Sequence, residues 1–225
     1  VGEGDLQAQR EFAGEVRARV ESRLSFRVAG KLVQRHVELG QAVKPGQLLA
    51  QLDAQDYVLA LDAARAQVAA AVTQRDLAAA DFKRFAQLKA QNFISGAELE
   101  RREATLKSAQ AQLDQAQAQV AAQGNQQAYT RLVADVAGVV TGIEAEPGQV
   151  LSAGTTVVRI AQDGARDVVF SVPEDQVARV RVGQDVQVRT WSGGAPFNGK
   201  VRDVAASADP VTRTYLVKGA VAGAQ

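Results

Sequence analysis

The sequence predicts a mixed α and β, elongated multidomain chain, in which a long antiparallel α-helical hairpin interrupts a β-rich region and more antiparallel strands follow. Three observations lead there. Between Pro45 and Pro147 there is no proline, and between Gly46 and Gly124 the only glycine is Gly96. The β-rich segments on either side of that stretch repeat each other at an offset of 136 − 28 = 108 residues. Alanine accounts for 42 of the 225 residues and aromatics for only 5%. Alanine buries little area, so thin, close-packed interfaces are favoured over one thick core.

The same composition narrows the function. With 26 basic and 25 acidic side chains the formal charge is +1, which supplies no electrostatic reason to bind nucleic acid or an anionic membrane. Cysteine is absent, excluding disulfides, thiolate catalysis and cysteine-held metal. A single histidine argues against a histidine metal cluster or a conventional catalytic triad. Serines, threonines and carboxylates are scattered without triad or paired-acid spacing, so neither an enzymatic activity nor a cofactor is expected. No run approaches the ~20 apolar residues of a membrane span.

An opening strand is expected at about 12–19. The first β segment then starts at Val28-Ala29-Gly30 and reads strand, glycine turn, strand, glycine turn, strand. From about 55 the chain is rich in Ala, Gln, Leu, Arg, Glu and Lys and lacks breakers, which predicts helix. Gly96 divides it into helices over roughly 55–91 and 96–127. In the first, Leu61, Ala64, Val68, Ala71, Arg75, Ala78, Phe82 and Phe85 follow alternating steps of three and four. In the second, Leu99, Arg102, Leu106, Ala109, Leu113, Ala116 and Val120 do the same. Four to five heptads each suffice for a coiled coil, with the stems of Arg75 and Arg102 covering the seam. Eight basic and eight acidic residues over 54–128 cancel, so the hairpin is a solvated rod of about 50 Å.

At the turn, Ser95-Gly96-Ala97-Glu98 fits a capping box. Ser95 is expected to accept from the Glu98 amide and Glu98 to reach back to the Ser95 amide, with Ile94 and Leu99 at the staple positions.

The second β segment aligns with the first without a gap. Val28-Ala29-Gly30 meets Val136-Ala137-Gly138, Glu38 meets Glu146, Gly40-Gln41 meets Gly148-Gln149, and Gly46 meets Gly154. Two copies of one small β unit are implied. A copy of about 26 residues cannot bury a core alone, so the copies are expected to pair, with the hairpin leaving at about 54 and returning at about 131.

The V-A-G…G-Q…G pattern, found twice, resembles the two halves of a biotinyl/lipoyl carrier domain. In carrier domains a tight turn bearing the modified lysine joins the halves; here about eighty largely helical residues stand in its place. A lipoyl-like domain split by an α-hairpin resembles the periplasmic adaptor, or membrane fusion protein, family of tripartite efflux pumps, within the haemolysin-secretion-D-like superfamily. Residues 166–225 agree, and Asp209-Pro210-Val211-Thr212-Arg213-Thr214 is similar to the family's D-x-x-T-R-T motif.

The resemblance implies a long antiparallel α-helical coiled-coil hairpin inserted in a split lipoyl/biotinyl-like β-sandwich, plus an antiparallel β-barrel. Residues 1–25 would supply the N-terminal strand or strands joining the barrel or a membrane-proximal region. Residues 26–54 and 131–163 would be the lipoyl-like halves, 55–130 the hairpin, and 164–225 an incomplete barrel, with the membrane-proximal domain absent from this chain. The implied function is a periplasmic adaptor between an inner-membrane transporter of the resistance-nodulation-division type and an outer-membrane channel. Self-association into a ring of hexameric type, as trimers of dimers, is implied in the assembled pump, as is attachment to the inner membrane through a segment outside this chain. Two alternatives stay open: a lipoyl- or biotin-carrier subunit of an enzyme complex, and an adaptor of an ABC-type or metal exporter.

The resemblance also assigns a site. Arg84, Leu88 and Ser95 match the family's tip motif, an arginine, a leucine four residues later and a serine seven after that, through which adaptors dock onto the channel's coiled-coil end. Arg84 and Leu88 at i, i+4 share one helix face. Elsewhere simpler roles are expected. His36, opposite Glu144 in the repeat, reads as a solvated strand histidine. Arg65 and Arg101 read as solvated helix charges. Gly30, Gly40, Gly138 and Gly148 read as turn glycines or points of close backbone approach. Thr212-Arg213-Thr214 reads as a strand with one charge.

Overall fold

The offset in the sequence is reproduced strand by strand. The structure, a computed structural model, describes residues 10–191, 193 and 196–221; the parts of the expected first and last domains at 1–9 and 222–225 lie outside the described residues. The first copy contains β3 (Gly30–Arg35), β4 (Ala42–Val43) and β5 (Leu48–Leu52), and the second β7 (Gly138–Ile143), β8 (Val150–Leu151) and β9 (Thr156–Gln162). Each second-copy strand begins 108 residues after its counterpart (138 − 30, 150 − 42, 156 − 48).

The copies exchange strands. β3 pairs with β8 through Gly30↔Leu151 and Lys31↔Val150, and β4 pairs with β7 through Ala42↔Val139 and Val43↔Gly138. These are the same pairs with the copies interchanged, so the two halves are related by a pseudo-two-fold axis. Loop bonds obey the same symmetry: the Leu32 amide donates to the Gln149 carbonyl (2.8 Å) and the Val140 amide to the Gln41 carbonyl (2.9 Å). Flanking strands complete two four-stranded sheets, β2 (Glu21–Ser25) in the order β2-β9-β7-β4 and β6 (Arg131–Val133) in the order β6-β5-β3-β8. Residues 21–25 therefore sit beside β9. Both sheets contribute to one core of Phe26, Leu32, Leu49, Leu52, Val140, Val157, Val158 and Ile160, all at or below 1% exposure.

Between the copies run α1 (Gln55–Ala90) and α2 (Gly96–Ala128), within one residue of the expected limits. They lie along each other, and every residue of both expected stripes is buried or half-buried, with Leu61, Ala64, Ala78, Ala109, Leu113 and Ala116 the most enclosed. Arg102 covers the seam as anticipated, its guanidinium 4.4 Å from the centre of the Phe85 ring. The base is fixed to the sheets: the Tyr57 hydroxyl donates to the Ala29 carbonyl (2.7 Å), Arg27 lies 3.9 Å over the Tyr129 ring, and the Leu52 amide donates to the buried Thr130 carbonyl (2.9 Å).

The opening strand, β1 (Gly14–Ala18), joins a third sheet with β10 (Arg166–Pro173), β11 (Asp185–Val188), β12 (Phe197–Val204) and β13 (Thr214–Val221), in the order β1-β10-β13-β12-β11; a short α3 (Glu174–Val177) follows β10. Val172, Val201 and Val217 form its core, with Phe12 stacked on Phe170 at 5.8 Å. Past the two edge strands, Glu11 before β1 and Arg189 after β11 pair at 2.8 Å.

One expectation needed structure to resolve. Gly40 (φ 80°) and Gly148 (φ 98°) are turn glycines, whereas Gly138 is a close-approach position, where a Cβ would stand 2.1 Å from the Ala161 carbonyl oxygen. The ladder between β12 and β13 also slips at Arg202, between Val201↔Gly219 and Asp203↔Lys218. A bulge re-aims the extra side chain. Arg202 reaches Asp167 (2.8 Å), which Arg19 contacts from the other side (3.1 Å), and Asp167 is only 3% exposed. This buried carboxylate ties β12 to the crossing between β1 and β2. Asp167→Asn is expected to lower the unfolding free energy by about 2–4 kcal/mol, because two charge-assisted contacts are lost at a buried site. Urea unfolding measures it, and a change under about 0.5 kcal/mol would contradict the assignment.

Candidate functional site

The site candidate is the far end of the helix pair. α1 runs out of intrahelical acceptors at Ala90, and the chain reverses in five residues before α2 begins. The reversal is a Schellman motif: the Phe93 amide donates to the Leu88 carbonyl (3.0 Å) and the Asn92 amide to the Lys89 carbonyl (2.9 Å). Asn92 takes the left-handed conformation this requires, with φ 61°. Asparagine tolerates that region better than any other residue except glycine. It stands where a glycine would otherwise mark the stop.

Ser95 opens α2. Its backbone is extended (φ −76°, ψ 159°) and its hydroxyl oxygen accepts from the Glu98 amide at 3.3 Å. The reciprocal half of the expected capping box is not formed. The Glu98 carboxylate turns along the helix instead, to Arg102 (2.7 Å) and Arg101 (3.4 Å), since two cations one turn on outweigh a single backbone amide. Ile94 and Leu99 are both half-buried at the staple positions. The Ser95 hydroxyl uses a lone pair on the cap, which leaves its proton to donate outward.

Arg84 and Leu88 lie on the last two turns of α1, about 6 Å apart along its axis. The Arg84 side chain is 69% exposed and leans on Asp81 one turn back, while Leu88 is 38% exposed. A surface ion pair of this kind contributes little to stability and is readily exchanged for another partner. The sequence motif did not include Phe93, which stands 73% exposed two residues before Ser95. The Schellman bond sets Phe93 beside Leu88, so the tip presents two apolar side chains together with the Arg84 cation and the Ser95 hydroxyl, and Lys89 adds a second cation in the last turn. Spacing could not reveal this, because the relevant signal was a left-handed Asn92.

The remaining candidates are plainer. His36 is exposed beyond the end of β3, and Glu144 pairs with Arg159 (2.9 Å) rather than with the histidine. Arg65 is a solvated partner of Asp62 (3.0 Å) and Arg101 of Glu98. Among the described residues no group of three or more His, Asp or Glu could hold a metal ion, and no helix is long and apolar enough to cross a membrane.

Comparison with known proteins adds the following. Residues 15–162 match the RND MFP (membrane fusion protein) barrel-sandwich hybrid domain, and residues 168–225 match the CusB-like beta-barrel domain. Multidrug resistance protein MdtA of Photorhabdus laumondii is 28% identical over 214 residues, which is 91% of this chain and 53% of the relative. Its namesake in Escherichia coli (strain K12 / DH10B) is 32% identical over 171 residues, 73% of this chain and 41% of the relative. The chain thus spans about half the length of these relatives. In fold it resembles the membrane fusion protein Spr0693 from Streptococcus pneumoniae R6 (TM-score 0.73, 21% identity, 94% of this chain and 92% of that one). It also resembles MacA from Actinobacillus actinomycetemcomitans (TM-score 0.66, 23% identity, 92% and 71%).

The turn chemistry makes a direct prediction. Asn92→Ala is expected to cost about 1 kcal/mol, since a Cβ without a hydrogen-bonding side chain is forced left-handed, and Asn92→Gly is expected to cost nothing or to stabilise. Ser95→Ala is expected to cost about 1 kcal/mol through the lost cap. Thermal unfolding followed by circular dichroism at 222 nm reads all three; equal stabilities for the alanine and glycine variants at 92 would contradict the left-handed turn.

Proposed function

The chain belongs to the RND membrane fusion protein family, and we propose that it acts as a periplasmic adaptor, linking an inner-membrane efflux transporter to an outer-membrane channel with no catalysis of its own. The observation that carries this reading is the helix-pair tip, where Arg84, Leu88 and Ser95 meet the spacing of the adaptor docking motif and Leu88 and Phe93 stand exposed. In this reading α1 and α2 form a coiled-coil hairpin inserted between residues 26–54 and 131–163, the halves of a lipoyl-like sandwich. Residues 164–221, with β1, form the β-barrel. A resistance-nodulation-division transporter is the proposed inner-membrane partner, a multidrug range its cargo, and a ring of copies its working state, held at the inner membrane by a part of the protein outside this chain.

The chemistry of docking follows from the tip. Arg84 exchanges Asp81 for a carboxylate or carbonyl of the channel, Leu88 and Phe93 fill an apolar notch between its helices, and the Ser95 proton donates to a main-chain acceptor. A carrier subunit is disfavoured, because the connection between the two β copies is a pair of helices of 36 and 33 residues and not a short turn presenting a lysine.

Mutation separates docking from folding. Arg84→Asp and Leu88→Ala alter exposed positions and are expected to change the unfolding free energy by no more than about 0.5 and 1 kcal/mol, respectively. Both are expected to abolish drug efflux in cells that depend on this pump and to remove adaptor–channel cross-links. Efflux and cross-linking at unsubstituted levels in both variants would overturn the docking assignment.

A further inference from the structure

Two strands carry the chain between the third sheet and the paired copies, and they do so as one ribbon. β1 pairs with β10 as far as Ala18↔Arg166, and β2 pairs with β9 from Glu21↔Ala161 onward. Main-chain bonds fill the gap: the Arg19 amide donates to the Ala165 carbonyl (2.9 Å) and the Gln162 amide to the Val20 carbonyl (3.0 Å). The register changes between these two bonds. Ala165 faces Arg19, yet the next residue, Val20, is faced by Gln162, so Asp163 and Gly164 are extra residues on one strand. A bulge of this kind bends its strand and raises the local twist.

Each side of the bulge is held. On the side of the paired copies, the Asp163 amide donates to the Ala137 carbonyl (3.1 Å), just before β7. On the side of the third sheet, the Arg19 guanidinium lies 3.1 Å from the buried Asp167, whose other oxygen is held by Arg202 of β12 (2.8 Å). Between the last residue fixed by one side and the first fixed by the other stands Gly164 alone. It is exposed with φ 121°, and a Cβ built on it would meet nothing within 4 Å. Space therefore does not require a glycine there. The backbone angle does, since residues with a side chain are strained at that φ. Beside it, the peptide from Arg19 to Val20 is the one whose two residues are bonded by different sides. Among the described residues β1 meets β9, and no other pair of elements packs appreciably across the junction.

We propose that Gly164, with the Arg19–Val20 peptide beside it, is a single pivot about which the third sheet turns relative to the paired copies and the helix pair they carry. The Asp167 latch confines the turning to that point. Its two arginines join β10, β12 and the end of β1 into one body up to Arg19, so rotation does not spread along the ribbon. Hinges are a few element-terminal residues that absorb a large change in φ and ψ while the bodies on either side stay intact. A one-glycine pivot stopped by a buried ion cluster changes direction without losing a strand pair. The angle between the third sheet and the helix pair is then set at one residue, whatever proteins bind at either end, so the inference stands apart from the adaptor reading above.

The test uses the full-length protein, spin-labelled on pairs of introduced cysteines in a background with no other cysteine, and reads distances by pulsed electron paramagnetic resonance. Gln34→Cys with Gln187→Cys, both exposed, spans the junction; Arg23→Cys with Gln34→Cys lies within the paired copies and serves as the control. With the junction unsubstituted, the spanning pair is expected to give a broader distribution than the control. Gly164→Val is expected to shift the spanning mean by several ångströms, because valine does not hold φ 121° and the pivot turns to accommodate it. The control pair is expected to stay in place and Tm to stay within about 2 °C. Arg19→Gln, and Asp167→Asn at temperatures where it is folded, are expected to widen the spanning distribution and leave the control unchanged. A spanning mean that does not move in Gly164→Val overturns the pivot, as does a spanning distribution no wider than the control. An unmoved mean with Tm lower by about 4 °C or more identifies a rigid junction that keeps the strain. A change in the control pair also overturns the pivot, since the distortion then reaches beyond the junction. If Gly164→Val turns the junction and Arg19→Gln leaves its width unaltered, the latch falls and the pivot stands.

Discussion

The exchange of strands between two short copies is the constraint on which the rest of the molecule depends. Neither copy has enough apolar surface to fold by itself, and each supplies the strand that the other lacks: β8 for β3 and β4 for β7. The resulting core is closed by residues more than a hundred positions apart, so everything between them must leave and return at one place. The pairing of β5 with β6, through Leu48↔Val133, Ala50↔Leu132 and Gln51↔Arg131, fixes that place. A chain that exits beside its own return can extend only as two elements lying against each other. Nearly equal helices of 36 and 33 residues joined by a five-residue reversal satisfy that condition.

The seam between those helices is thin by composition. Four of its six most enclosed side chains are alanine, which lets the backbones approach but buries little area per residue. Stability is therefore borrowed from the base, where Tyr57, Arg27–Tyr129 and Thr130 bind the helices to a well-filled core. Toward the tip the seam changes character, with Phe82 and Phe85 on one helix and Arg102 laid over the Phe85 ring on the other. Bulk near the end holds the reversal in a defined geometry, so its exposed side chains are presented in fixed positions. A docking surface benefits from that, because less freedom is lost when a partner arrives.

Much of this was legible in the sequence for a simple reason: the features carried by periodicity and repetition are also the ones that burial enforces. Every position that the 3.5-residue spacing placed in the seam, the two arginines included, is buried or half-buried, and the 108-residue offset located each strand of the second copy. What stayed hidden depends on single backbone angles or on competition between partners. Glu98 lay within reach of both an amide and two arginines, and spacing alone cannot rank them. Arg202 became a ligand of Asp167 only because the ladder slips there, and pattern says nothing about a slip. Asn92 and Arg213 are ordinary polar letters until their φ values are known, yet one makes the hairpin turn and the other lies in the turn before β13 rather than in a strand.

The helix pair ends in a reversal that includes a left-handed non-glycine residue, Asn92. Two sheets whose closure leaves the helix pair between the two copies place that reversal at the end of the pair opposite the sheets. The central claim is that the helix tip meets the outer-membrane channel. Residues 1–225 contain no cysteine, so a single cysteine placed among them is the one thiol in this part of the protein. The most direct measurement is cross-linking in cells, with Phe93→Cys at the tip and Gln112→Cys mid-helix, against cysteines at the periplasmic end of the channel. The account predicts efficient adaptor–channel cross-links from position 93 and none above background from 112; cross-links from 112 with none from 93 would contradict it.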